Sequence, residues 1–179
     1  MQDGRHRRLQ TLVMAAFLML LAAPAAAADM VSAADIPSVT AALQAAGHRT
    51  ALRQDEDGVR YILVDEGDND FSVDFDDCED AEAATGCNML IFNAIWDADD
   101  SVDASFVNDY NRSSTLAHAF VGDDGTLNLT LSVTTRGGLP AANFAEVIAI
   151  WDASDKDLSD LLDKGKGGGG VIVTALSVR

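Results

Sequence analysis

The sequence predicts an α+β domain, an antiparallel sheet flanked by helices in the order α-β-β-β-β-α-β-β-α, with a candidate strand at the C-terminus. Three observations carry this. Apolar and polar residues alternate from Phe71 to Phe75 and from Leu127 to Val133, the period of a strand with two unlike faces. Turn pairs, Asp57-Gly58 and Asp124-Gly125, separate such runs, which is a hairpin signal. Apolar residues recur every three or four positions from Ile36 to Ala46 and from Phe144 to Leu162, which is helical spacing.

The elements follow in order. Ile36, Val39, Leu43 and Ala46 line one face of a helix over 36–46; Pro37 suits its first turn and Gly47 its end. Arg49 to Arg53 and Val59 to Val64 form two strands around the Asp57-Gly58 turn. Phe71, Val73 and Phe75 form a buried strand face, and Ser72, Asp74 and Asp76 a wet one. The run from Asn88 to Trp96 is apolar on both sides, which predicts a central strand. Val102, Phe106 and Tyr110 give a short helix over 102–112, capped from Asp97 to Ser101. Strands over 115–121 and 127–133 flank the Asp124-Gly125 turn. Pro140 opens the last helix, where Phe144, Val147, Ile148, Trp151, Leu158, Leu161 and Leu162 form one stripe. Ser154 and Asp157 are placed to cap a restart after a kink.

The organisation around this unit is read as a cleavable signal at 1–28, a loose lead-in at 29–35, the domain at 36–163, a Gly-rich linker at 164–170 and an apolar tail at 171–179. The first segment has Arg5, Arg7 and Arg8, then an apolar run of about ten residues, then an alanine-rich end. That is the three-part layout of a secretory signal, and the run is short of the roughly twenty residues a bilayer needs. Cleavage is expected after Ala28, with a periplasmic or secreted product. A retained anchor is the alternative, and Arg7-Arg8 also hints at twin-arginine export. The tail is read either as a strand of the protein's own sheet or as a tethered strand for a partner or second copy.

Charge excludes some functions. The chain has 12 Lys and Arg against 29 Asp and Glu, a net charge of −17. Nucleic acid and anionic lipid are disfavoured, because neutralising phosphates needs Lys and Arg. Cys78 and Cys87 are the two cysteines. An oxidising compartment favours a disulfide between them, worth about 2–3 kcal/mol by chain entropy. Zinc is a poor alternative, since a structural site takes four ligands and none others lie nearby.

Catalytic constellations are scarce. His48 and His118 stand in no metal-ligand spacing, and no nucleophile elbow or phosphate loop is present. His118 shares a strand face with Leu116 and Phe120 and reads as a core or half-buried histidine before a general base. Trp96 and Trp151 read as core anchors. No catalytic residue and no cofactor is assigned.

From Tyr61 to Asn111 there are fifteen acidic residues and no Lys or Arg. Asp65, Asp68 and Asp70 are weak calcium candidates, because hard oxygens outside the cytoplasm can bind that ion. Their spacing does not match an EF-hand loop. A solvated acidic face is preferred, and a docking face for a basic partner is a third reading.

One set of residues resembles a known family. It comprises Gly47, Asp57-Gly58, and Phe71-Ser72-Val73-Asp74-Phe75 leading into Cys78 and Cys87. It continues through Ile91-Phe92-x-Ala94, Val107-Asn108-Asp109-Tyr110-Asn111-Arg112, Asp124-Gly125, Gly137-Gly138 with Asn143-Phe144, and Trp151. This resembles the YbjN-domain family of bacterial proteins, described generically as sensory transduction regulators, from about Asp35 to Leu162. The resemblance implies a fold like the type III secretion chaperones, often dimeric, with no catalytic residues and no established ligand. Exported members with a signal and paired cysteines look like this chain. Tyr110 stands where the family pattern has Trp, and the Gly-rich linker and apolar tail are additions. The expected function is a periplasmic, non-enzymatic binding or accessory protein, regulatory or chaperone-like, working as a homodimer on a protein partner. Asn108, Asn111 and Arg112 either line its interaction surface or cap their helix and hold the next loop. A calcium- or polycation-binding acidic module is the alternative, and an uncharacterised hydrolase the last one.

Overall fold

The computed structural model describes residues 29–65, 70–98 and 102–165. The expected signal at 1–28, the residues 66–69 and the tail at 171–179 lie outside the described residues.

The elements are β1 (Met30–Val31), α1 (Ile36–Ala45), β2 (Arg49–Gln54), β3 (Arg60–Asp65), β4 (Phe71–Asp76), β5 (Met89–Asp97), α2 (Ala104–Ser113), β6 (His118–Val121), β7 (Thr126–Thr134), β8 (Leu139–Pro140) and α3 (Ala141–Gly165). Six strands form one sheet in the order β2-β3-β4-β5-β7-β6, antiparallel at every junction. β5 lies inside the sheet, as its apolar run predicts. It pairs with β7 over its full length, from Met89 opposite Thr134 to Asp97 opposite Thr126.

Local chemistry sets the turns. Asp55 Oδ1 accepts from the amides of Asp57 and Val59 at 3.0 and 2.8 Å. Asp124 Oδ1 does the same for Thr126, at 3.0 Å from its amide and 2.7 Å from its hydroxyl. These bonds hold the Asp124 carboxyl below the usual range. Gly125 then takes φ +82°, which a side chain would resist.

One sheet face carries Ile62, Val64, Phe71, Val73, Leu90, Phe92, Leu129 and Leu131, all buried. Val39 and Leu43 of α1 and Phe144, Ile148, Trp151 and Leu158 of α3 complete the same core. Aromatic rings knit it together. Trp151 lies 5.3 Å from Phe71 and 5.5 Å from Phe92, and Phe92 lies 6.3 Å from Phe144.

Several expectations are corrected. The lead-in is not loose: β1 pairs antiparallel with β8, and the Ala33 amide donates to Thr135 Oγ1 at 2.8 Å. Val31 and Ala33 are buried because apolar side chains there meet the core. Pro140 belongs to β8 and α3 begins at Ala141. The helix does not restart, since Ser154 Oγ donates to the Ile150 carbonyl one turn back, inside a continuous 25-residue helix. It runs on to Gly165, past the expected edge at 163. The second helix is capped by Asp103, whose carboxylate accepts from the amides of Ser105 and Phe106 at 2.9 Å each.

The face of β4 expected to be wet is only partly so: Ser72 is 2% exposed and Asp74 partly accessible, while Asp76 is exposed as expected. Alternation tells which residues share a face but not what lies over it. His118 is the reverse case, exposed on β6 with Leu116 and Phe120, because that strand is the last in the sheet.

Replacing Trp151 by Ala should cost about 3–5 kcal/mol, as for other buried aromatic truncations. Urea unfolding followed by circular dichroism would read it. A loss under 1 kcal/mol would mean that α3 is held elsewhere.

Candidate functional site

The described surface offers a groove where α2, the loop after it and α3 meet. It has a volume of about 540 Å³. α3 presents two stripes. Phe144, Ile148, Trp151 and Leu158 turn inward, while Ile150, Ser154, Asp157, Leu161 and Lys164 form one groove wall. Tyr110 and the stretch from Ser113 to Leu116 form the other. Leu161 therefore leaves the single core stripe expected for it: it is 39% exposed, and Leu116 is 52% exposed. Spacing of three and four describes both stripes equally, so periodicity alone could not separate them.

Tyr110 joins the walls. It is buried, and its hydroxyl donates to the Ser154 carbonyl at 3.0 Å. Burial raises its pKa, partly offset by hydrogen bonds with Ser114 and Ser154.

The three residues expected at an interaction surface have different settings. Asn111 bonds the backbone of β6 twice: its Nδ2 donates to the Ala119 carbonyl at 2.9 Å, and its Oδ1 accepts from the Ala119 amide at 2.8 Å. It thus occupies groups that another strand would use. Arg112 is exposed and bonds Asp109 at 2.9 Å one helical turn back. Asn108 is exposed.

The remaining candidates are dispersed. Cys78 and Cys87 are joined by a disulfide. Asp65 pairs with Arg49 at 2.8 Å, Asp70 precedes β4, and Asp68 lies outside the described residues. Among the described residues no three His, Cys, Asp or Glu side chains gather to hold a metal. A second cleft, of about 510 Å³, runs along α3 over Phe71 and Trp151 with Asp152, Asp155, Asp160 and Asp163 at its rim. His48 approaches Asp152 at 3.4 Å and meets the Phe71 ring edge-on at 5.7 Å. No described helix is long and apolar enough to cross a membrane.

The sequence reading missed Asp74. Burial pushes its pKa up to about 6, against lowering by hydrogen bonds from Ser72 and Asn93, with Asp55 adding a small upward push. Asn93 Nδ2 donates to Asp74 Oδ2 at 2.6 Å, and Oδ1 is buried with no hydrogen-bond partner. Its strand pattern alone gave Asp74 to solvent. The one available clue was the two-sided apolar character of the neighbouring β5.

The family model for YbjN, described as "Putative bacterial sensory transduction regulator", matches residues 35–162. The solved structure of YbjN, "a putative transcription regulator from E. coli", superposes with a TM-score of 0.54 at 16% identity. The match covers 80% of this chain and 99% of that one. At that identity the likeness speaks for the fold. None of the curated proteins compared with the chain matches it.

Two outcomes follow. Asn111→Ala leaves the Ala119 amide and carbonyl without their side-chain partner and should cost about 1–3 kcal/mol. Amide exchange at Ala119 would report it, and unchanged protection there would remove the clasp. Asp74 has a folded pKa above its unfolded value of 3.8, so its contribution is full below about pH 4 and lost as pH rises through about 6. Asp74→Asn removes that loss. Its stability relative to wild type should therefore rise between pH 4 and pH 8 by on the order of 2–3 kcal/mol. A difference independent of pH in urea titrations would sink this assignment.

Proposed function

The chain belongs to the YbjN family, and on that premise we propose that it is an exported, non-enzymatic regulatory protein that works by protein–protein contact as a homodimer. One observation carries the reading. Leu116, Phe120, Val121 and Leu161 remain between 39% and 52% exposed, and Leu116 and Leu161 share the groove at the α2 end. Apolar side chains left outside a core are what a partner surface needs. The strongly acidic surface of the chain, with its net charge of −17, favours a protein partner over nucleic acid.

Export is supported by the signal-like first 28 residues and by the Cys78–Cys87 disulfide, a bond that persists in oxidising compartments. Phe120, on the face of β6 turned away from the core, supplies the surface for a second copy. Asn111 blocks backbone pairing at Ala119, so this contact joins side chains and does not extend the sheet.

Light scattering on the exported chain tests the assembly. Wild type should give the mass of a dimer at micromolar concentration, and Phe120→Asp should halve it with an unchanged circular dichroism spectrum. A wild type that stays monomeric removes the dimer from the reading. A dimer untouched by Phe120→Asp places its interface elsewhere.

A further inference from the structure

The described part of α3 ends at Gly165, directly after the groove residue Lys164. Fourteen residues of the chain follow. Lys166 and four glycines come first, then Val171-Ile172-Val173-Thr174-Ala175-Leu176-Ser177-Val178 and Arg179. The eight residues from 171 to 178 carry no charge and are rich in β-branched side chains. Such a segment left in water invites aggregation unless something pairs or covers it.

The groove matches this segment in length, chemistry and position. Its α3 wall runs from Ile150 to Lys164, a rise of about 21 Å at 1.5 Å per residue. Eight extended residues span about 23–26 Å. Ile150, Ala153, Leu116 and Leu161 provide apolar contacts, the Thr115 hydroxyl can bond an extended backbone, and Asp157, Asp160 and Lys164 add charge to the α3 wall. The five residues 166–170 reach up to about 17 Å, enough to reverse direction at the helix end and enter the groove at Lys164.

We propose that this groove is the docking site of the chain's own C-terminal segment, residues 171–178, laid antiparallel to α3 in the same molecule. The tether decides for the same molecule over a second copy. A linker of five residues holds the segment at an effective concentration in the millimolar range, above any concentration at which a second copy would compete. The inference rests on reading this end of the domain as its working surface. The docked segment keeps Leu116 and Leu161 covered, so a partner that uses the groove must displace it.

Hydrogen exchange by mass spectrometry on the exported chain tests this. In wild type, amides of 171–178 should exchange about 100-fold more slowly than in a free chain. In the double variant Leu116→Asp and Leu161→Asp that protection should vanish while the amides of β5 stay protected. Free-chain rates in wild type overturn the proposal, and so does tail protection that survives the double variant with β5 intact. If the double variant unfolds, Ile172→Asp with Leu176→Asp gives the converse reading. Amides of 113–117 should then exchange faster, and no change there overturns the proposal. Tail protection that falls on dilution overturns the assignment to the same molecule. The mass measured in the same samples reports separately on assembly through Phe120, so a monomer with a protected tail fails the dimer and leaves this inference standing.

Discussion

Trp151 seated on Phe71 and Phe92 is the contact on which the rest of the structure depends. It lies near the middle of a 25-residue helix and reaches two neighbouring strands. A fully buried indole brings a large apolar area out of water, and ring-to-ring contacts add to that. Once α3 is anchored there, its other stripes have determined positions. One side faces Tyr110 and creates the groove, while the side with Asp152 and Asp155 lies over the start of β4. The surface features are thus by-products of where one side chain is buried.

The second organising device is polar. α2 is a short helix with a single fully buried residue, Tyr110, while Phe106 and Val107 pack partly against the core. It is held by three directed contacts: the Asp103 cap, the Tyr110 hydroxyl on Ser154, and the Asn111 clasp on β6. The cap and the clasp satisfy backbone groups that would otherwise lack a partner, and the Tyr110 hydroxyl adds a second bond to a carbonyl inside α3. The exposed ion pairs Arg49–Asp65, Arg136–Asp77 and Lys156–Asp160 add little beside them, because solvent screens both charges.

Much of this was legible in the sequence. Turn chemistry at Asp57-Gly58 and Asp124-Gly125, the two-sided apolar run of β5 and the stripe of α1 each have a local cause, and the structure places them accordingly. The six-strand sheet and the family both follow from that pattern. What escaped had a non-local cause. Leu161 and Leu158 satisfy the same helical spacing, and only the position of Trp151 decides which one faces inward. Ser72 and Asp74 alternate like solvent residues, yet Ser72 is buried and Asp74 partly so. The lead-in becomes a strand only because residues 139 and 140, far along the chain, supply its partner. The groove belongs to the same class, since its two walls are separated by more than thirty residues.

The clasp at Ala119 also limits how this sheet can grow. A sheet polymerises by offering unpaired backbone at a margin. At the β6 margin a side chain already stands in for the missing strand. The opposite margin is β2, which carries exposed Arg53 and the Arg49–Asp65 ion pair, charged side chains of the kind that blunt an edge strand. One margin is therefore plugged and the other carries charge. Both devices work against the sheet growing edge to edge.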